Sequence, residues 1–366
     1  MIEIHNISII GLGLMGGSLA LALKNKGIES IISGYDISND NIEQALKSNA
    51  IDKGAGDIKE AVKEADLIVL GVPIDEYENI FMEISKHLKP KSIVTDLGSV
   101  KSEPMALAKK IFPKDISFVG GHPMTGSEKG GFSAADPFLY ENAYYFITYE
   151  ENTPEDALKV IEDIVDALGA YSVRLSPREH DMIVSRISHL PHVIAMTLVN
   201  FLGQDNNNSY LPFVGGGFRD TTRIASGNPN MWREILMSNR IEIIHSLISF
   251  RELIEKFIGH LQNSEKRDIE EYLGNAKKIR DSMPYGKPDY IRPLYEIAVS
   301  IADKPGAIAK LANIMREQNI NIKEIEILHS RQSEGGAVRL GFDSREEQRL
   351  AIETLREKGL NKLYFK

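Results

Sequence analysis

The sequence predicts an α/β chain of three modules. The first is a Rossmann-type parallel-sheet domain over residues 1–175, the second an all-α domain over 176–285, and the third a ferredoxin-like βαββαβ domain over 291–366. Three observations predict it. Short β-branched runs alternate with helical segments through the first half, the pattern of βαβ units on a parallel sheet. From residue 176 to about 283 helical periodicity continues with almost no strand signal. After the turn-rich linker Met283-Pro284-Tyr285-Gly286-Lys287-Pro288, strands and helices return in the order β, α, β, β, α, β.

Composition bounds what the chain does. Its 366 residues exceed one ordinary core, since a domain takes roughly 100–200 residues. Cysteine is absent, which excludes disulfides, thiol nucleophiles and cysteine metal sites. The amino terminus enters a strand without a basic segment, and no uninterrupted apolar run reaches ~18 residues. The expectation is a cytoplasmic protein with no membrane partner. A net charge of −9 with no basic block argues against nucleic acid as partner. It also means that an anionic substrate needs a local cationic cluster, because the overall field opposes it.

Along the first module, the strand at 7–10 stops at Gly11-Leu12-Gly13-Leu14-Met15-Gly16, and residues 18–24 have helix-forming character. The next strand, 30–35, ends in Asp36, 20 positions after Gly16, and Ser38 caps the following helix. Strand, glycine turn, helix and then an acidic residue are the context that a dinucleotide fingerprint needs. Gly11 makes the turn, Gly13 admits the pyrophosphate, Gly16 allows close helix packing, and the helix N-terminus supplies partial positive charge. Asp36 suits a ribose 2′-hydroxyl and repels a 2′-phosphate, which favours NAD over NADP. Strands at 67–71 and 93–96 follow, with helices at 76–87 and 103–111.

The run 116–119 delivers His122 to the carboxyl end of a strand in Gly120-Gly121-His122-Pro123-Met124-Thr125-Gly126-Ser127-Glu128. Ligands bind outside the carboxyl ends of such sheets, and an imidazole there can move a proton near neutral pH. The competing reading is a histidine satisfied by local hydrogen bonds. Ser99 and Lys101, in Asp96-Leu97-Gly98-Ser99-Val100-Lys101, end the neighbouring strand and are expected to project into the same crevice; Ser99 alone reads equally as a helix cap, and together with His122 it is a candidate to orient the imidazole. Residues 144–149, 154–168 and 171–175 complete the module.

Ser176-Pro177-Arg178-Glu179 has the spacing of a capping box and opens the helical module. Ser188 and His192 stand one turn apart if the helix is continuous, while the His-x-x-His pair lacks a third ligand nearby, so no metal is expected. Gly215-Gly216-Gly217 reads as a turn, and Arg219 and Arg223 beyond it offer guanidinium forks to carboxylates. A surface ion pair of Arg219 with Asp220 or Glu234 is the alternative. Ile241, Ile244, Ile248 and residues 251–257 make a helix apolar on most sides, more than this module can bury, so the expectation is a homodimer.

The segments around His122, Ser188-His189-Leu190-Pro191-His192 and Gly216-Gly217-Phe218-Arg219-Asp220-Thr221-Thr222-Arg223-Ile224-Ala225 resemble those of the prephenate dehydrogenase family. Ile301-Ala302-Asp303-Lys304-Pro305-Gly306 is similar, more loosely, to the start of an ACT regulatory domain. The resemblance implies NAD-dependent oxidative decarboxylation of prephenate to 4-hydroxyphenylpyruvate, on the route to tyrosine. By it His122 is the base and Ser99 its orienting hydroxyl. Arg223 binds a substrate carboxylate with Arg219 nearby, Ser188 and His192 line the prephenate pocket, and Glu128 and Trp232 stand near its mouth. It also implies feedback by tyrosine at Asp303, Gly306 and Asn321. Three rivals stand beside it: an arogenate dehydrogenase, a non-catalytic sensor of NAD and amino acids, and a β-hydroxyacid dehydrogenase, for which no catalytic lysine is found on the helical module.

Overall fold

The aliphatic runs of the first module form one eight-stranded sheet in the order β3-β2-β1-β4-β5-β6-β7-β8. The strands are β1 (Asn6–Ile10), β2 (Ile31–Tyr35), β3 (Lys53–Gly54), β4 (Leu67–Leu70), β5 (Ile93–Asp96), β6 (Ser117–Pro123), β7 (Tyr144–Thr148) and β8 (Tyr171–Leu175). The structure is a computed structural model that describes residues 4–127, 129–204, 210–283, 295–301, 304–328, 336–360 and 363–365. Glu128 and Asp303 lie outside the described residues.

Helices α1 (Leu14–Asn25), α2 (Asn39–Lys47), α3 (Ile58–Val62), α4 (Tyr77–Ile84), α5 (Ser102–Ile111) and α6 (Glu155–Ala167) cover the sheet. Two apolar clusters result. One joins Leu19 and Leu23 of α1 and Ile161 of α6, the other Phe81 of α4, Met105 of α5 and Phe118 of β6. β4 is buried at all four positions, as a strand covered on both faces must be. The strand order turns back between β1 and β4, which opens the ligand-binding crevice at their carboxyl ends.

A wholly parallel sheet was the expectation, and the structure corrects it: β6 pairs antiparallel with β7, Gly120 facing Thr148 and His122 facing Phe146. Among the described residues, 124–143 contain only the 3-10 turn Phe132–Ala134, with no crossover helix to carry the chain back for a parallel return. Helix α6 supplies one between β7 and β8, and those two are parallel.

The helical module starts at α7 (Pro177–Val184), where the capping box forms as expected: Ser176 accepts from the Glu179 amide, and the Glu179 side chain accepts from the Ser176 amide. A π-helical turn, Ser185–His189, leads into α8 (Leu190–Leu202). The helix through Ser188 and His192 is therefore not uniformly α, and the wide turn places Pro191 in the first turn of α8, where its missing N–H costs little. The three glycines do not form a free turn; Gly215 caps α9 (Gly216–Thr222). α10 (Pro229–Ser238), α11 (Arg240–Gln262) and α12 (Lys266–Ser282) follow. By length and composition Pro177–Leu202 is apolar enough to cross a bilayer, yet it carries the buried polar side chains His180, Asp181, Ser185, His189 and His192.

The chain divides into two compact units, Met1–Asn275 and Ala276–Lys366, so the nucleotide-binding and helical modules pack as one body. In the second unit β9 (Tyr295–Ile301), α13 (Ala307–Glu317), β10 (Glu324–Leu328), β11 (Gly336–Phe342), α14 (Arg345–Glu357) and β12 (Leu363–Phe365) follow the order β, α, β, β, α, β. The sheet is antiparallel, in the order β10-β11-β9-β12. Ile297 and Val299 of β9 and Val338, Leu340 and Phe342 of β11 alternate inward against Leu311 and Met315 of α13 and Leu355 of α14. Gly306 at φ +86 caps α13, and Ser344 caps α14 by accepting from the Glu347 amide.

Candidate active site

The glycine turn is built as a dinucleotide groove. Gly11 has φ +92 and its missing Cβ would lie 2.5 Å from the Gly71 carbonyl oxygen, while a Cβ on Gly16 would lie 1.9 Å from that of Gly11. Gly13 faces open space, and the first turn of α1 has neither an acidic residue nor a side-chain cap. Its amides are left for a phosphate. Leu12 is buried, Leu14 and Met15 are partly buried, and the Met15 carbonyl is held by the Tyr140 hydroxyl at 2.7 Å. Asp36 accepts from the Leu12 amide at 2.7 Å and from the Ser38 amide at 2.8 Å. A carboxylate has about four acceptor sites, so two remain for ribose hydroxyls. These residues fit a dinucleotide without a 2′-phosphate.

His122 ends β6 on the same face as Phe118, because side chains alternate along a strand. It is 8% exposed, and its Nδ1 lies 2.7 Å from Nε2 of His180 on α7. His180 Nδ1 in turn lies 2.8 Å from Asp181 Oδ1. The charges assign the protons. An ionised carboxylate only accepts, so His180 carries hydrogen on Nδ1 and its bare Nε2 accepts from His122 Nδ1–H. That leaves His122 Nε2 as an unprotonated base. Burial, followed by the neighbouring His180, Lys101 and His189, holds the His122 pKa well below the usual histidine value. Burial also lowers that of His180, against the opposing bond from Asp181. Burial alone would raise Asp181, but hydrogen bonds from His180 and Ser102 outweigh it and keep the carboxyl ionised.

Ser99 lies in the loop after β5, partly buried, and its side chain makes no hydrogen bond among the described residues. The imidazole's Nδ1 partner is thus His180. Lys101 does not project into the crevice as expected; it is fully buried in an ion pair with Asp96.

On the helical module, His192 is 1% exposed, stacks on Trp232 of α10 with ring centroids 3.4 Å apart, and keeps its buried Nδ1 unpartnered. Ser188 is partly buried, while its neighbour His189 turns inward to Asn239 at 3.1 Å. Burial pushes His189 down to about 4. Arg219 on α9 and Arg223 just after it are exposed and form no ion pair among the described residues, and Glu234 is taken by Arg233 instead. Gly306 and Asn321 sit at the start of α13 and before β10, in the second unit.

The residues that sequence reasoning missed are His180, Asp181, His189 and Asn239. The one local signal was a His-Asp pair one turn into a helix, and that pattern is ordinary on helix surfaces.

Comparison with known proteins agrees with this geometry. The sequence model of the prephenate dehydrogenase nucleotide-binding domain matches residues 19–174, and that of the prephenate dehydrogenase dimerization domain matches residues 176–275. The chain is 34% identical to prephenate dehydrogenase of Bacillus subtilis over 352 residues, 95% of both chains. It is 33% identical to that of Lactococcus lactis, covering 95% of this chain and 97% of the relative. Among solved structures, prephenate dehydrogenase from Aquifex aeolicus in complex with hydroxyphenyl propionate and NAD+ superposes with TM-score 0.73 at 31% identity, covering 77% of this chain and 99% of that one. With two matched domains and a relative 34% identical over 95% of both chains, the chain belongs to the prephenate dehydrogenase family.

Proposed function

We propose that the chain is a NAD-dependent prephenate dehydrogenase, which oxidises and decarboxylates prephenate to 4-hydroxyphenylpyruvate for tyrosine synthesis. The observation that carries the reading is the Asp181–His180–His122 relay, which leaves an unprotonated Nε2 on His122 near the carboxyl end of β6. His122 takes the proton of the ring C4 hydroxyl. Bound NAD, held by the Gly11–Gly16 turn and Asp36, supplies the acceptor for the C4 hydride. As C4 becomes a carbonyl, the bond from C1 to its carboxylate breaks, carbon dioxide leaves, and the electron pair passes through the ring to the C4 oxygen, which takes a proton back to give the aromatic phenol. Aromatisation drives the step, so the residues mainly position the donor and remove one proton. Asp181 keeps its charge throughout and stabilises the imidazolium pair as it forms.

Arg223, with Arg219 beside it, holds substrate carboxylates by bidentate hydrogen bonds. His192, kept flat by Trp232, offers its unpartnered Nδ1 to the substrate, and Ser188 lines the same pocket. Ser99, unpartnered among the described residues, bonds the reacting hydroxyl or His122 Nε2. In α11, Ile241, Ile244 and Ile248 are 59%, 51% and 42% exposed, which supports a homodimer through this module. The C-terminal unit, with its βαββαβ order, we read as an ACT domain that binds tyrosine near Gly306, Asn321 and Asp303.

The deciding experiment measures NADH or NADPH formation from prephenate and from arogenate, each with NAD and NADP. Rapid turnover is expected with prephenate and NAD. Turnover confined to arogenate moves the assignment to that substrate, and none with either leaves a binding protein. Adding tyrosine to the same assay tests the C-terminal unit: inhibition is expected, and unchanged rates at saturation remove the effector role.

A further inference from the structure

We infer that the buried Lys101–Asp96 pair is the positioning element of the proton-transfer site, holding both strand ends of the crevice and the Asp181 carboxylate behind them in one register. The inference rests on the reading of His122 as the base. Both side chains are fully buried, a place lysine takes only when paired. Asp96 ends β5 and accepts from four donors: Lys101 Nζ, the Tyr77 hydroxyl at 2.9 Å, and the amides of Gly98 and Gly121 at 3.0 Å each. Gly98 precedes Ser99, and Gly121 precedes His122. One carboxylate thus fixes the backbone beside both side chains.

The other half of the clamp is the Lys101 backbone. Its amide donates to Asp181 Oδ1 at 2.8 Å, the oxygen that also holds His180, and the Ser102 amide donates to Oδ2 at 2.8 Å. Relay and clamp therefore share an atom. The glycines of the motif follow from the same packing. A Cβ on Gly120 would lie 2.9 Å from Lys101 Cδ, and one on Gly98 would lie 2.8 Å from both Asp96 Oδ2 and the Tyr77 hydroxyl. One on Gly121 would lie 2.5 Å from the Asp96 carbonyl oxygen. A buried ion pair is no more stabilising than well-packed apolar residues of its size, so stability alone gives no reason for it. Alignment of the base does.

The charged and titratable groups around His122 are Lys101 on the β5–α5 loop, Asp96 on β5, His180 and Asp181 on α7, and His189 on the π turn; Tyr77 of α4 and Tyr145 of β7 face Asp96. The test is steady-state kinetics on the full chain with prephenate and NAD for Lys101→Met, Asp96→Asn with Lys101→Met, and Tyr77→Phe, beside His122→Ala. Thermal melting and NAD binding check that each is folded. Lys101→Met is expected to lose roughly 10- to 100-fold in kcat, as slight misplacement of a reacting group does, with little change in the KM for NAD. The acid limb of its kcat/KM profile should move to higher pH, because the unpaired Asp96 carboxylate then favours the imidazolium. The double variant should restore part of that movement, which a merely structural role would not do. A folded Lys101→Met with kcat within about twofold of wild type and an unmoved limb overturns the inference. If it does not fold, the double variant decides by the same kcat criterion; if that fails too, Tyr77→Phe does. Should His122→Ala itself turn over normally, the base assignment fails; if it is inactive while the lysine variants are normal, only this inference falls.

Discussion

Residues up to Asn275 bury a connected set of charged and hydrogen-bonding side chains, among them Asp96, Lys101, His122, His180, Asp181 and His189. Among the described residues of the unit that starts at Ala276, the buried polar side chains are Gln348 and Thr354, and the rest of its core is apolar. The first unit keeps polar atoms away from water at the desolvation cost that such burial carries, and it satisfies most of them with one another. The second keeps its ion pairs, such as Lys358–Glu317, at the surface. Among the described residues, polar burial is therefore concentrated in the first unit, around His122.

The contrast breaks most readily at the base. His122→Ala is expected to lower kcat roughly 10²- to 10⁴-fold, the usual worth of a general base, with NAD affinity nearly unchanged; near-normal turnover would sink the assignment. Asp181→Asn should come close behind, at roughly 10²-fold or more. An asparagine has one oxygen for the two that the Lys101 and Ser102 amides use; with that oxygen on the Ser102 amide, its NH2 replaces Oδ1, the Lys101 amide loses its acceptor, the NH2 donates to His180 Nδ1, both imidazoles reverse their tautomers, and His122 Nε2 becomes protonated. A pH-rate profile and kcat for this variant measure it.

Acid should separate the two units next. His122, His180 and His189 have folded pKa values below the unfolded one, so the unfolded chain binds more protons and stability falls as pH drops below the usual histidine value. For His189, held near 4, the stability at stake is about 3 kcal/mol. Melting followed at Trp232 should drop in this window, and a flat response would show that these histidines are charged or exposed. A smaller effect is expected at the exposed side of the site: Arg223→Ala should raise the prephenate KM by roughly 10- to 100-fold, the worth of a charge-assisted pair, with a milder change in kcat. The smallest tests the other unit. Ser344→Ala removes the cap of α14 and should cost about 1 kcal/mol in its unfolding while leaving turnover without tyrosine unchanged.

Much of this was legible in the residues. The glycine turn with Asp36, the capping box at Ser176, and the alternation through β9 and β11 each declare themselves locally, because turn geometry, caps and strand period act over a few residues. The antiparallel return of β7 was not legible, since it goes with the lack of a crossover helix among the described residues of 124–143. His180 was hidden for another reason. Its role arises from a partner 58 positions away, and no local pattern encodes that meeting. Lys101 was placed on the correct loop and pointed the wrong way, because only the packing beneath Gly120 shows that its stem has a burial site. Gly120 and Gly121 stand in the recognised motif, but that the protein's own atoms fill the space beside them is visible only in the packing.

Trp232, the chain's sole tryptophan, lies flat against His192. An indole in contact with an imidazole is dimmed when that ring takes up a proton, so the protein carries its own optical reporter beside His192. Intrinsic fluorescence can therefore follow His192 protonation in the unmodified chain, with no label and no second tryptophan to subtract.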